Sequence, residues 1–261
     1  MKRTIILGIL LSAILYACDE VEPKVLVADF ETTITGEAPN AQVSITNNSE
    51  NASSFSWTFT EGADVESSTE ETPSILSIDK ADDFTITLVV SDGSAEKEIS
   101  KTVSIIGNSA IVEHSDLEFS LNAGDATYGR LYSFETSTMY LDSEVTADNG
   151  SKIHLAFGSM GQTMYYFDSP DVAGYNVPNA TTTKVTNYES TPTVSDTDFA
   201  AMADDRLLAD LTIVNDDESF GNSMIPGNTV LFETSTGRKG VVITKEVNSD
   251  RLLVDIKIQK Y

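Results

Sequence analysis

The sequence predicts a mainly β protein built as two successive antiparallel β units behind a short leader. Three observations predict it. Apolar residues recur with period two in many short segments; Thr, Ser, Val and Ile are abundant while long helical patterns are scarce; and clusters of Asn, Gly, Ser and Asp punctuate the segments. Period-two alternation puts one face of a strand in a core and the other in water. A chain of 261 residues has room for one large domain or two ordinary ones.

The leader comes first. Lys2 and Arg3 precede an apolar run from Ile5 to Leu15, interrupted only by Gly8, Ser12 and Ala13. The run is shorter than the roughly 20 apolar residues that span a bilayer core, and its basic start suits a secretory signal. It ends in Leu15-Tyr16-Ala17-Cys18, which resembles the lipobox of bacterial lipoproteins, although Tyr16 is bulkier than the usual residue there. The resemblance implies that residues 1–17 are a signal peptide and that Cys18 is acylated, tying the body to a membrane. The alternative is a buried helix in which Cys18 falls by coincidence. Cys18 is the only cysteine, so no disulfide, thiolate zinc site or thiol nucleophile is available to the body. Each buried methylene contributes about 0.8 kcal/mol and stable attachment takes more than one acyl chain, which the lipoprotein resemblance would supply.

Residues 18–24 read as an acidic tether. Asp19-Glu20-Val21-Glu22 is similar to the surface-export signal of Bacteroidetes-type lipoproteins. The implied location is the outer membrane, lipid-anchored and facing the cell surface, with a periplasmic face as the alternative. The charge agrees with an exposed, soluble body: 41 acidic against 16 basic residues give a formal net charge of −25. Such a body is repelled by nucleic acid and by anionic head groups, which excludes nucleic-acid partners.

Residues 25–106 form the first unit. Val43 and Ile45 alternate with Ser44 and Thr46, and Phe55, Trp57 and Phe59 with Ser56 and Thr58. Phe84, Ile86, Leu88 and Val90 repeat the pattern, and Ile99, Val103 and Ile105 close it; Asn47-Asn48-Ser49 and Ser91-Asp92-Gly93 supply turns. Strands at this spacing around a single Trp suggest an immunoglobulin-like sandwich without its disulfide. Val43-Ser-Ile-Thr-Asn-Asn-Ser49, Phe55-Ser-Trp-Thr-Phe59 and Phe84-Thr-Ile-Thr-Leu-Val-Val-Ser-Asp-Gly93 resemble successive strands of a PKD domain. That family usually carries Trp-x-Phe-Gly-Asp-Gly where this chain has Trp57-Thr-Phe-Thr-Glu-Gly62, so the turn is altered and the acidic stretch Asp64 to Glu71 lengthens the loop after it. The resemblance implies a spacer or interaction module, with Trp57 in the core.

Gly107-Asn108-Ser109 reads as a short linker, and residues 110–261 as a second β-rich unit. Leu117 to Leu121 and Ile153-His-Leu-Ala-Phe157 alternate as strands. Thr229 to Thr234 and Gly240 to Thr244 flank the turn Ser235-Thr-Gly-Arg-Lys239; Asn248-Ser-Asp250 then leads into Leu252, Val254, Ile256 and Ile258. This is a three-stranded meander that ties the C-terminal residues into a sheet. One helix is predicted over Asp196 to Leu208, with Ser195 as N-cap, Asp198 as capping partner, and Phe199 and Met202 on its apolar face. The Tyr-, Gly-, Asn- and Thr-rich stretch from Gly158 to Tyr188 reads as a long loop, of a length that is usually functional. Phe157, Ser169-Pro170, Asn179-Ala-Thr-Thr182, Phe199 and Gly237-Arg-Lys-Gly240 give this half a layout similar to uncharacterised Bacteroidetes lipoprotein domains, which brings no activity with it.

Catalytic signatures are missing. His114 and His154, the two histidines, stand apart from any metal-ligand spacing, and no HExxH, Gly-x-Ser-x-Gly or phosphate loop occurs. Acid pairs such as Asp82-Asp83, Asp204-Asp205 and Asp216-Asp217 are expected by number alone in so acidic a chain. No cofactor is expected. Calcium held by Asp216-Asp217-Glu218 with Asn215 and Asn222 is the alternative, against which stands the absence of Asp-x-Asp-x-Asp-Gly spacing.

The expectation is therefore a non-enzymatic binding protein, with glycan as the candidate ligand. Tyr165, Tyr166 and Tyr175 would be stacking platforms and Asn176 a hydrogen-bonding side chain; packing in the core or loop is the competing role for each. The second reading is a structural or assembly component that binds another cell-envelope protein. Exposed, coplanar tyrosines would favour the first, buried tyrosines the second.

Overall fold

The computed structural model describes residues 24–160, 164–189, 193–216, 218–219 and 227–261. The segment expected to be a signal peptide, Cys18 and most of the expected acidic tether lie outside the described residues. Among the described residues the chain is mainly β in antiparallel sheets, as the alternation predicts, with two short α-helices.

Seven strands come first: β1 (Phe30–Thr35), β2 (Ala41–Asn47), β3 (Ser54–Phe59), β4 (Ser67–Ser68), β5 (Leu76–Ile78), β6 (Asp83–Ser91) and β7 (Glu96–Ser104). They form a three-stranded sheet, β1-β2-β5, and a four-stranded sheet, β4-β3-β6-β7. One core joins them: Phe30, Val43, Ile45 and Leu76 from the first sheet meet Trp57, Phe59, Ile86, Leu88 and Val90 from the second. Trp57 is fully buried edge-on against Phe30, with ring centroids 5.3 Å apart. Its indole N–H donates to the Glu70 carbonyl at 2.9 Å, so the acidic loop after β3 also satisfies the one polar atom of the core Trp. At the β6–β7 turn Asp92 accepts N–H bonds from Ser94 and Ala95, and Gly93 takes a positive φ.

Nine strands follow: β8 (Ile111–Ser120), β9 (Leu131–Ser133), β10 (Thr138–Tyr140), β11 (Leu155–Met160), β12 (Met164–Asp168), β13 (Lys184–Thr186), β14 (Thr229–Glu233), β15 (Lys239–Val247) and β16 (Arg251–Gln259). They form a four-stranded sheet, β10-β9-β11-β12, and a five-stranded sheet, β13-β14-β15-β16-β8. The meander is β14-β15-β16, and β16 pairs along β8, which fixes the last residues inside the sheet. The core between the sheets is aromatic: Phe119, Tyr132, Phe134, Phe157, Phe167 and Phe232, with Phe134 stacked on Phe232 at 5.1 Å.

The helix predicted over Asp196 to Leu208 is split into α1 (Asp196–Ala201) and α2 (Arg206–Ala209). The start is as expected: the Ser195 hydroxyl accepts the Asp198 N–H, and the Asp198 carboxylate accepts the Ser195 N–H. The break has two causes. Lys257, on the outer face of β16, sends its buried ammonium to the Phe199 and Met202 carbonyls at 2.8 and 3.0 Å, capping the end of α1, where the Phe199 carbonyl otherwise accepts only the long 3.3 Å bond from the Met202 N–H. Asp205 is drawn away to Ser109, whose N–H it accepts at 2.8 Å. Phe199, Met202 and Leu208 then pack on Leu231 and Val241, covering the outer face of the five-stranded sheet.

The stretch expected to be one long loop is not one. It contains β12, a turn of 3₁₀ helix at Ala173–Tyr175, and β13. Short strands of three to five residues escape a reading that looks for longer alternation.

The short linker Gly107-Asn108-Ser109 is braced by backbone and side-chain hydrogen bonds. The Gly107 backbone bridges to Ala38, and a Cβ there would come within 2.5 Å of the Ala38 carbonyl oxygen, at a φ of +116°. Ser109 donates its N–H to Asp205, and its hydroxyl accepts the Ala81 N–H. Asp79 accepts the Ala110 N–H through its carbonyl, and its carboxylate takes the Lys260 ammonium at 2.7 Å and the Tyr261 hydroxyl. Segments before and after the linker thus meet there: Ala38, Asp79 and Ala81 from between the first strands, and Asp205 from between the helices.

Candidate functional site

The aromatic segment Met164–Asp168 is a strand, so its side chains alternate. Tyr165 and Phe167 point inward, 5 % and 1 % exposed; Met164, Tyr166 and Asp168 point outward. Tyr165 stacks on Phe157 at 6.4 Å in the aromatic core, and burial raises the pKa of its hydroxyl. Consecutive tyrosines on a strand cannot form one platform. This corrects the pairing of Tyr165 with Tyr166 as stacking surfaces.

Tyr175 is also withdrawn. It is buried with Leu131, Ile153 and Ala156 on the outer face of the four-stranded sheet, beneath the Arg130 guanidinium at 5.3 Å. Asp142 holds that guanidinium with two bonds, Nε to Oδ1 at 3.1 Å and Nη2 to Oδ2 at 2.6 Å. The Tyr175 hydroxyl has no hydrogen-bond partner among the described residues, and burial, before the nearby Asp168 and Tyr166, pushes its pKa far up. Asn176 is exposed and left-handed (φ +54°), a conformation Asn tolerates better than most residues, so it serves the turn after Tyr175. Of the four residues, Tyr166 lines a cleft formed by the described residues.

That cleft has a volume of about 250 Å³. The β11–β12 hairpin forms one wall. Tyr166 pairs with Gly158 across the hairpin, and its ring tip fills the space a Cβ at 158 would need, at 2.5 Å. Met160 and Met164, a facing pair at the end of the ladder, are 59 % and 45 % exposed. The other wall is made by Asn187, Asp216, Glu218 and Ser219. Buried Asn187 joins the walls: its side-chain amide accepts the Phe167 N–H at 2.7 Å and donates to the Phe167 carbonyl at 2.9 Å, a side-chain substitute for strand pairing on the outer edge of β12. Asp216 in turn accepts the Asn187 and Tyr188 N–H groups. Asp168, Asp216 and Glu218 line the cleft, and no basic side chain among the described residues does.

The calcium alternative is only partly within view. The Asp216 carboxylate is engaged by backbone N–H groups, and Asn215 Oδ1 accepts the Val185 N–H at 2.9 Å. Asp217 and Asn222 lie outside the described residues. Among the described residues no group of three or more His, Cys, Asp or Glu side chains is arranged to hold a metal ion.

The two histidines meet at one place, against Phe134, with ring centroids 5.4 and 5.8 Å away. His114 Nδ1 lies 2.9 Å from the Tyr132 hydroxyl, and His154 Nδ1 accepts the Phe134 N–H at 3.2 Å. Burial first, and the charge of Arg238 second, lower the pKa of both. His114 is buried in the core, as is Trp57, and His154 is half-buried at its edge.

Sequence reasoning missed Met160, Met164, Asp168 and Asn187. Period two, applied to Met164–Asp168, separates Tyr166 from Tyr165 and groups Tyr166 with Met164 and Asp168. Nothing local marks Asn187. Compared with known proteins, the chain matches no family model, and no curated protein matches it. Among the described residues no helix is long and apolar enough to cross a membrane.

Proposed function

We propose that this chain is a lipid-anchored, non-catalytic assembly protein, tethered through Cys18, that binds another protein of the cell envelope with the tip of its second β unit. The observation that carries the reading is the fate of the tyrosines. Tyr165 and Tyr175 are packed in cores, and the side chains left at the surface around Tyr166 are Met160 and Met164. Flexible, polarisable methionines suit an adaptable protein contact better than a stacked sugar ring does. The first unit, with its PKD-like strand pattern, serves as the spacer, and the joint at residues 105–110 makes it a stiff one. The leader and the acidic net charge support an exported, outer-membrane location.

The test uses cells making the full chain. A photo-crosslinking amino acid at position 164 is expected to trap one defined envelope protein, identified by mass spectrometry, while the same group at exposed position 102 on β7 does not. Cys18→Ser is expected to abolish acyl labelling and release the protein from the membrane. Binding to glycans in an array, lost in Tyr166→Ala, with no protein crosslink from position 164, overturns the assembly reading in favour of carbohydrate binding.

A further inference from the structure

We infer that the outer face of the four-stranded sheet of the first unit binds a neutral oligosaccharide, one end of which enters the cleft between the two units. The inference adds to the spacer role of that unit and does not depend on the contact made by the tip of the second.

The face is built from hydroxyls. Strand alternation turns Trp57, Ile86 and Leu88 inward, so the residues between and beside them face out. Register then lines the outward residues up in rows. Ser67, Thr58, Thr87 and Ser100 follow one another across β4, β3, β6 and β7. Thr85 and Thr102 form a second row, with Thr60 beside Thr85, whose N–H its hydroxyl accepts at 2.9 Å. Cross-strand bonds fix the rows: Thr87 Oγ1 lies 2.8 Å from Ser100 Oγ, and Thr85 Oγ1 lies 2.7 Å from Thr102 Oγ1. Each pair uses one of its two protons, leaving the other proton and further lone pairs for a ligand. The Thr58 and Ser67 hydroxyls have no hydrogen-bond partner among the described residues. The charged residues of this face, Asp83, Glu96 and Glu98, stand beyond the two rows. Hydrogen bonding, not ion pairing, is what the rows offer.

The cleft closes one end of the rows. Its volume of about 620 Å³ falls in the range of roughly 300–1,000 Å³ common for ligand sites, which favour junctions between units. Thr58, Thr60, Glu66 and Ser67 line one side, and Lys260 and Tyr261 the other. The cations there are answered from within the chain. Asp79 holds Lys260 at 2.7 Å and accepts the Tyr261 hydroxyl, and Glu61 holds Lys80, which lies over the Tyr261 ring, at 3.1 Å. The Glu66 carboxylate has no such partner among the described residues, so it accepts hydroxyl protons and repels an anion. The ligand that suits these groups carries many hydroxyls and no negative charge, as a neutral sugar chain does. Hydroxyls about 4.8 Å apart, in rows about 7 Å apart, suit an extended chain rather than a compact molecule. The opposite sheet of the unit also exposes hydroxyls, Thr33 among them, and supplies the control.

The test is saturation-transfer NMR of the full chain in a zwitterionic detergent, with cellohexaose, maltohexaose, mannohexaose and xylohexaose as probes. At least one is expected to bind saturably. Thr58→Val/Glu66→Gln/Ser67→Ala should weaken that binding about tenfold, as loss of several hydrogen bonds does. All three positions are exposed and Val keeps the strand preference, so circular dichroism should be unchanged. Thr33→Val, Tyr166→Ala and 0.5 M salt should each leave binding within about twofold, because none removes a hydrogen bond to the ligand. Hexagalacturonate should not bind. Absence of binding by all four probes overturns the inference and leaves the position-164 crosslink to decide the assembly reading. Equal binding of hexagalacturonate, an equal loss in Thr33→Val, or release by salt also overturns it. Binding lost in Tyr166→Ala but kept in the triple variant places the sugar at the tip of the second unit, and the inference fails.

Discussion

The first seven strands and the last nine follow the same alternating pattern, but they bury different things. Among the described residues, every buried polar or charged residue lies in the second unit: His114, Ser120, Ser133, Ser169, Thr183, Asn187, Asp205, Thr234, Thr244 and Lys257. The first unit buries apolar residues and one Trp whose N–H reaches a loop carbonyl. A purely apolar core needs only the right pattern and volume. A core threaded with polar groups needs each partner in place. Those partners hold up the cleft wall (Asn187), the joint (Asp205) and the cap of α1 (Lys257). The comparison places the buried polar supports, and the proposed protein-binding surface they hold up, in the second unit.

The largest test of that contrast is Trp57→Ala. It removes the central side chain of the first unit and should cost about 3–5 kcal/mol, read as a lower urea midpoint by circular dichroism. The second unit's polar supports come next. Lys257→Met keeps the volume but leaves the Phe199 and Met202 carbonyls without their charged donor, and should cost about 1.5–3 kcal/mol. Lys101→Met, which removes a half-exposed ion pair to Asp29 and a bond to the Phe30 carbonyl from the first unit, should cost less, about 1 kcal/mol. Similar losses for the two lysines would break the contrast.

Acid sharpens it without mutation. Both histidines lie in the second unit, and their pKa values in the folded chain are below the ordinary value of 6.5. As pH falls below that value, the unfolded chain takes up protons before the folded one, so stability present at neutral pH is lost toward pH 5. The carboxylates held low, Asp29, Asp82 and Asp92 in the first unit and Asp125 and Asp198 in the second, start from 3.8 and act in a lower window. Between pH 6.5 and 5 the urea midpoint should therefore fall, and His114→Phe/His154→Gln should flatten the slope. A slope unchanged in that double variant would refute the assignment. The smallest effect is expected from Gly158→Ala. The added Cβ meets only the far end of the Tyr166 ring, so stability should change by less than about 1 kcal/mol while Tyr166 is displaced.

The same difference decides what was legible in the sequence. Val43, Ile45, Phe84 to Val90 and Leu252 to Ile258 alternate plainly, and all of these strands formed. The Ser195–Asp198 capping box marked the start of α1, because a cap is local. Its end was not legible, because Lys257 and Ser109 act from far along the chain. The cleft was half legible. Tyr166 stood among the candidates, but Tyr165 and Tyr175 were grouped with it by composition, although strand alternation separates the first and core packing the second. Asn187 carries no signal of its own, since its partner Phe167 is twenty residues away and joined to it only by the fold.

The most direct test of the account compares Tyr165→Ala with Tyr166→Ala in the full chain, measuring thermal unfolding and the position-164 crosslink together. Tyr165→Ala should destabilise the fold by about 3 kcal/mol, as loss of a core aromatic does. Tyr166→Ala should melt close to wild type and lose the crosslink. If Tyr166→Ala unfolds the protein while Tyr165→Ala leaves it stable and abolishes the crosslink, the two faces of β12 have been assigned the wrong way round and the central claim fails.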